Sequence, residues 1–211
     1  MILRDKIYNT IKERITSGEY APGQPLNEKE IITELNTSRT PFREAINALS
    51  EEGLVQVYPH RGIFVRDLSL KDITDGFDIR YLLEPYVLEL ASQRMPLSKI
   101  DDLIERINNI DQTDYFAMLE EDSYFHKTLV DYIDNKQLCK IMSNLYAYNQ
   151  FQVALFDNPR TKYVSPERLN GTVQSLKEHL DVLLCMKRRD TAAALEKMRY
   201  HLAQARKRTL Q

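Results

Sequence analysis

The sequence predicts a mainly α-helical protein in two parts. Residues 1–68 read as a winged helix-turn-helix of three helices plus a small β-hairpin wing, and residues 69–211 as an all-α bundle of six antiparallel helices. Three observations carry this. Gly18, Gly23, Gly53 and Gly62 crowd the front, leaving only Gly76 and Gly171 for the rest. The two short β-branched runs, Leu54-Val55-Gln56-Val57 and Ile63-Phe64-Val65, also lie in front. Beyond Leu68 every long segment repeats its apolar residues at helical period.

Element by element, Ile7, Ile11 and Ile15 form one helical stripe that stops at Gly18. Residues 18–25, rich in Gly and Pro, read as a loop. Asn27 with Glu30 resembles a capping box, and Ile31, Ile32 and Leu35 supply the inner side of a second helix. Asn36-Thr37 is a tight turn. Ser38 is expected to cap a third helix that tolerates Pro41 in its first turn, with Phe42, Ala45, Ile46 and Leu49 facing inward. The hairpin then turns at Tyr58-Pro59-His60-Arg61-Gly62.

In the second part, Ser69 with Asp72 opens a helix to about Arg94, with a kink expected at Pro85. Ser98 with Asp101 opens one ending near Asp111. Two more run from about Thr113 to Ile133 and from Lys136 to Phe156, followed by a loop over 157–164. Ser165-Pro166-Glu167 begins the fifth, and residues 187–190 turn into the last.

Composition excludes several classes. With 43% apolar and 28% charged residues among 211, the chain is neither disordered nor collagen-like. It lacks an apolar run of about 18 residues, and its first twenty residues contain no signal-like apolar core, so no membrane partner and a cytoplasmic location are expected. Two cysteines cannot form a disulfide framework. Lys+Arg number 29 against Asp+Glu 31, a net charge of −2, so bulk charge gives no hint of nucleic acid. Local geometry must supply it.

The start of the third helix does so. Arg39 and Arg43 are four apart and share a face opposite Phe42 and Ile46. Two guanidinium forks there suit guanine edges or phosphates, and the Ser38 and Thr40 hydroxyls with the helix-start amides suit a phosphate. His60, Arg61 and Arg66 add a basic wing. Either arginine alone is more simply a solvated face; both together beside that hairpin favour DNA.

These residues resemble a known family. Ala21-Pro22-Gly23, Leu26, Glu28, Glu30, Ser38-Arg39-Thr40-Pro41, Arg43-Glu44-Ala45, Gly53-Leu54-Val55 and Arg61-Gly62 with Val65 are similar to the winged-helix signature of GntR-type bacterial regulators over about residues 3–66. The resemblance implies base and phosphate contacts from Arg39 and Arg43, with Lys29 and Gly62 also touching DNA. Where the family carries glycine this chain has Asn36, which tolerates the left-handed backbone a turn needs.

Histidine spacing points to a second site. Asp122 and His126 are i, i+4 on one helix face. His179 and His201 lie equally far from position 190, the turn between the last two helices. Equal rise on both arms sets them side by side. If the third bundle helix packs there, three imidazoles and a carboxylate converge, a set suited to Zn²⁺, with Ni²⁺ or Mn²⁺ as alternatives. Each histidine alone is more simply a satisfied core residue.

From about residue 70 the chain also resembles the FCD domain of the FadR subfamily. Asp122-Ser123-Tyr124-Phe125-His126, Glu178-His179 and Met198-Arg199-Tyr200-His201 match that family's metal-site motif. The resemblance implies a divalent metal that helps hold a small organic or sugar acid. It also assigns Arg80, in Arg80-Tyr81-Leu82-Leu83-Glu84, to the effector carboxylate; without it, Arg80 reads as a surface pair with Glu84. Tyr124, Tyr146, Tyr148, Asn149 and Gln152 are possible pocket groups whose orientation spacing does not give. The basic turn Arg206-Lys207-Arg208 reads as a complement to the helix dipole.

The expected function is a homodimeric transcriptional regulator, more often a repressor, that binds a pseudo-palindromic double-stranded operator under effector control. Competing readings are a regulator that senses the metal itself, a metal-dependent hydrolase-type enzyme, and a DNA-binding protein whose bundle only dimerises.

Overall fold

A computed structural model describes residues 3–67, 69–156 and 164–210, with the backbone alone for 147–156. Described contacts divide the chain into two compact units, one built on the front of the chain to Ser69 and the other on Leu70–Tyr146 and the segment after residue 163. The distal part of the long helix from Ala147 falls outside the second unit.

The first unit contains α1 (Leu3–Thr16), β1 (Pro25–Leu26), α2 (Glu28–Glu34), α3 (Arg39–Glu51), β2 (Val55–Tyr58) and β3 (Gly62–Val65). Ile7, Ile11 and Ile15 are fully buried against Phe42, Ala45, Leu49 and Leu54. Burying each such aliphatic side chain stabilises the fold by about 1.5–3 kcal/mol, enough in sum for a small separate core. The wing has one strand more than the predicted hairpin. β1 pairs antiparallel with β3 through Pro25 opposite Phe64 and Leu26 opposite Ile63, giving the order β1-β3-β2. Two residues are too few to show a period, and Pro25 is acceptable on an edge.

Local chemistry sets the turns. Asn27 Oδ1 accepts from the Lys29 and Glu30 amides, while Glu30 accepts from the Asn27 side-chain amide rather than its backbone. Asn36 adopts φ 47°, the left-handed turn expected of it. Ser38 holds the N-cap position of α3, but its hydroxyl makes no capping hydrogen bond, which corrects the expected cap.

The second unit contains α4 (Leu70–Arg94), α5 (Leu97–Asn109), α6 (Tyr115–Asp131), the part of α7 (Lys136–Phe156) up to Tyr146, α8 (Pro166–Lys187) and α9 (Thr191–Thr209). α4 continues through Pro85. α5 begins at Leu97 behind Pro96, not at a Ser98 cap, and α6 is capped by Asp114, whose carboxylate accepts from the Ala117 amide. Ser165 and Asp190 cap α8 and α9 in the same way. Between them Arg189 takes φ 59° and donates to the carbonyl of Ser92, which ties the hairpin turn to α4. Val87, Leu88, Ala91, Phe125, Leu129, Val182, Leu183, Met198 and Leu202 form the core. No helix among the described residues is long and apolar enough to cross a membrane.

Candidate metal centre and nucleic-acid interface

In the second unit α6, α8 and α9 each turn polar side chains into that core. Their helical periods place Asp122 and His126 on one face of α6, and the α8–α9 hairpin sets His179 beside His201. One ligand atom from each of these four residues lies within 4.8 Å of the others. His179 Nε2 is 3.1 Å from His201 Nε2 and 3.7 Å from Asp122 Oδ1. Adjacent donors about 2.1 Å from a shared ion stand about 3–3.4 Å apart, so this set fits a divalent cation after small adjustment.

His126, His179 and His201 are all buried, and the surroundings prepare His179 and His201 as neutral donors. Burial, then the neighbouring imidazoles and Arg80, hold His179 well below its ordinary titration range. Burial also lowers His201 against the opposing pull of Glu178. Glu178 Oε2 lies 2.9 Å from His201 Nδ1, which keeps the proton there and leaves the Nε2 lone pair facing the cluster. His126 Nδ1 lies 2.8 Å from Glu84 Oε2, close but too oblique for a well-formed hydrogen bond. Ser175 donates to Asp122 Oδ1 at 2.7 Å and orients the carboxylate. His179 stacks on Phe125 with ring centroids 4.1 Å apart.

Arg80 reaches the same place from α4. It does pair with Glu84, at 2.6 Å, but as a buried pair rather than the surface one its spacing alone suggested. Burial would raise Glu84; Arg80 and His126 outweigh it and bring the carboxyl down to about 2. Arg80 Nη2 also lies 3.3 Å from His126 Nε2. Tyr146 is buried with its ring centroid 6.0 Å from that of His126, and its hydroxyl has no hydrogen-bond partner among the described residues. Tyr124 is turned elsewhere: it accepts from Lys99 and lies under Arg106. The side chains of Tyr148, Asn149 and Gln152, and the expected loop over 157–163, lie outside the described residues.

Sequence reasoning missed Glu84, Glu178 and Ser175. A carboxylate behind each of two histidines is a recognisable pattern, but Glu178 serves His201 rather than its neighbour His179, and only packing reveals that.

In the first unit Lys29, Ser38, Arg39, Thr40, Arg43, His60, Arg61 and Gly62 are all exposed. The side chains of Arg39 and Arg43 are 73% and 69% exposed, and their Nε atoms lie 3.8 and 3.9 Å from one oxygen of Glu28. With no side-chain cap from Ser38, the Arg39 and Thr40 amides at the start of α3 suit an outside acceptor. His60 at φ 59° makes the wing turn, and Arg61 stacks over Tyr58 at 5.6 Å. A cationic helix start with a basic wing suits phosphates and major-groove edges.

The two units define a class: a winged helix-turn-helix reader followed by a helical domain with a buried polar centre. Residues 3–65 match the model described as bacterial regulatory proteins, gntR family, and residues 75–204 match the FCD domain. The chain belongs to the gntR family of bacterial regulatory proteins and carries an FCD domain. It is 29% identical over 204 residues to the HTH-type transcriptional repressor RspR of Escherichia coli (strain K12), covering 95% of this chain and 86% of that protein. It is 27% identical over 194 residues to the gluconate operon transcriptional repressor of Bacillus subtilis (strain 168), covering 89% and 77%. Among solved structures, a putative GntR transcriptional regulator from Rhodococcus sp. RHA1 aligns with a TM-score of 0.77 at 20% identity, over 98% of this chain and 97% of that one. E. coli McbR/YncC aligns at 0.73 and 19%, over 97% and 95%. These likenesses place the fold.

Proposed function

We propose that the protein is a cytoplasmic homodimeric repressor of the FadR subfamily, whose grip on a pseudo-palindromic operator is set by a small organic or sugar acid bound beside a divalent metal, zinc foremost and nickel or manganese next. The 1–68 segment is the DNA-binding domain and 69–211 the sensing and dimerising one. The observation that carries the reading is the convergence of Asp122, His126, His179 and His201 in an apolar interior, with Glu178 fixing the His201 tautomer. A buried cluster of this kind is hard to account for as packing alone.

Within the site each residue has a task. Asp122, His126, His179 and His201 would hold the cation, which supplies positive charge and open positions for a carboxylate. Arg80 supplies a planar fork for the same carboxylate, and the Tyr146 hydroxyl, without a partner among the described residues, can donate to a polar substituent. On the head, Arg39 and Arg43 read bases or phosphates while Ser38, Thr40, Lys29 and the wing residues His60, Arg61 and Gly62 hold the backbone. One head makes too few base contacts for useful specificity, so two-fold pairing is required. The α4 face bearing Ile79, Leu82 and Tyr86, exposed by 44%, 74% and 49%, suits a second copy. The acid then acts through its different affinities for the DNA-competent and incompetent dimers.

A gel-shift titration of zinc-loaded protein on its own promoter, against a panel of small carboxylates, tests this. Release of DNA by one acid, lost in Arg80→Ala, is the expected result. DNA affinity that follows zinc alone would instead make the protein a metal sensor.

A further inference from the structure

We propose that Arg208 is a positioning residue for the metal ligand His201, acting through Glu178; this rests on the metal reading above. In sequence, Arg208 is one of three basic residues in a last helical turn. In the structure its guanidinium forms a two-point fork on Glu178, Nη1 to Oε1 and Nη2 to Oε2, both at 2.8 Å. The same carboxylate contacts His201 Nδ1 and is only 4% exposed. A chain thus runs from the end of α9 back across α8 to a ligand near the middle of α9.

Gly171 on α8 makes room for it. A Cβ there would stand 3.2 Å from Arg208 Cδ, so the bare glycine supplies the track along which the arginine stem crosses. Arg206, from the same turn, donates to Asp78 of α4 at 2.8 Å and seats the helix end. Glu178 can orient His201 only if its own plane is fixed, and a bidentate arginine fixes it where lysine, a point charge, does not. Without the fork one buried carboxylate oxygen loses its partner and the group is free to rotate away from Nδ1.

The test is a Zn²⁺ competition titration of full-length protein against a chromophoric chelator. Outer partners of metal ligands change affinity by about 10–100-fold, so Arg208→Ala should weaken zinc binding by about tenfold and Arg208→Lys by less. The Tm of metal-free protein should fall by several degrees in Arg208→Ala, where the buried Glu178 oxygen loses its partner, and by less in Arg208→Lys. Nitrogen-15 spectra of the metal-free protein should show the His201 proton on Nδ1 in wild type and shared between both nitrogens in Arg208→Ala, a change that lost packing alone would not produce. Equal zinc affinity in wild type and Arg208→Ala overturns the proposal. Should the alanine variant not fold, undiminished zinc affinity in Arg208→Lys overturns it as well. A wild-type protein that binds neither Zn²⁺, Ni²⁺ nor Mn²⁺ removes the metal reading itself, and is distinguished from the other outcomes by that control.

Discussion

His179 and His201, on opposite arms of the α8–α9 hairpin, face one another through their Nε2 atoms at 3.1 Å with ring centroids 4.3 Å apart. Two imidazole nitrogens this close in an apolar core either share one proton or share one cation. For the cation, removal with EDTA should lower the Tm and added zinc restore it. The stabilisation is about 4 kcal/mol at free zinc about 1,000 times the Kd. His201→Ala should abolish both the response and the metal seen by elemental analysis; a zinc content unchanged in that variant refutes the ligand set.

Proton linkage gives a separate check. The folded-state values of His179 and His201 lie below the ordinary histidine value. Both are therefore neutral in the native protein, and their contribution is complete above about pH 6.5. As pH falls below that, the unfolded chain takes up protons that the folded one refuses. Metal-free protein should lose stability toward acid by up to about 1.4 kcal/mol per pH unit for each histidine, and His201→Gln should flatten the curve. Urea titrations between pH 7.5 and 5 measure it.

Arg39 and Arg43 stand exposed beside Glu28, so little folding energy depends on them. Alanine at either position should weaken operator binding by about 1–3 kcal/mol at fixed salt and leave the circular dichroism spectrum unchanged. Full affinity in both variants would move the reading surface elsewhere.

Tyr146 separates ligand binding from stability. Its hydroxyl is buried without a partner among the described residues, so Tyr146→Phe removes a desolvated group and should hold or slightly raise the Tm. The same change should weaken the acid that releases DNA, as read by calorimetry. A fall in Tm with unchanged acid affinity would mark the hydroxyl as structural.

The head should also melt by itself when its core is opened. Phe42 is fully buried, and Phe42→Ala should cost about 3–5 kcal/mol. Calorimetry should show the head transition lost or lowered while the bundle transition, centred on Phe125 and Leu129, stays in place.

Much of this architecture was legible in advance because it depends on local rules. The Ile7, Ile11, Ile15 stripe, the Ser165 cap, the turn ending at Asp190 and the Asn36 turn follow from backbone geometry within a few residues. Even the meeting of His179 with His201 needed only equal rise about a known turn. The two residues of β1 show no period, and Pro96 rather than Ser98 holds the N-cap position of α5.

By itself, then, the sequence determined the helix and hairpin order and named the four ligand candidates, since periodicity and spacing about a turn are properties of local chain geometry. Tertiary structure alone decided that Glu178 serves His201 rather than its neighbour, that Tyr146 and not Tyr124 lies by the centre, and that Arg208 turns inward. Those outcomes depend on which helix packs against which, and side-chain direction across an interface leaves no period in sequence.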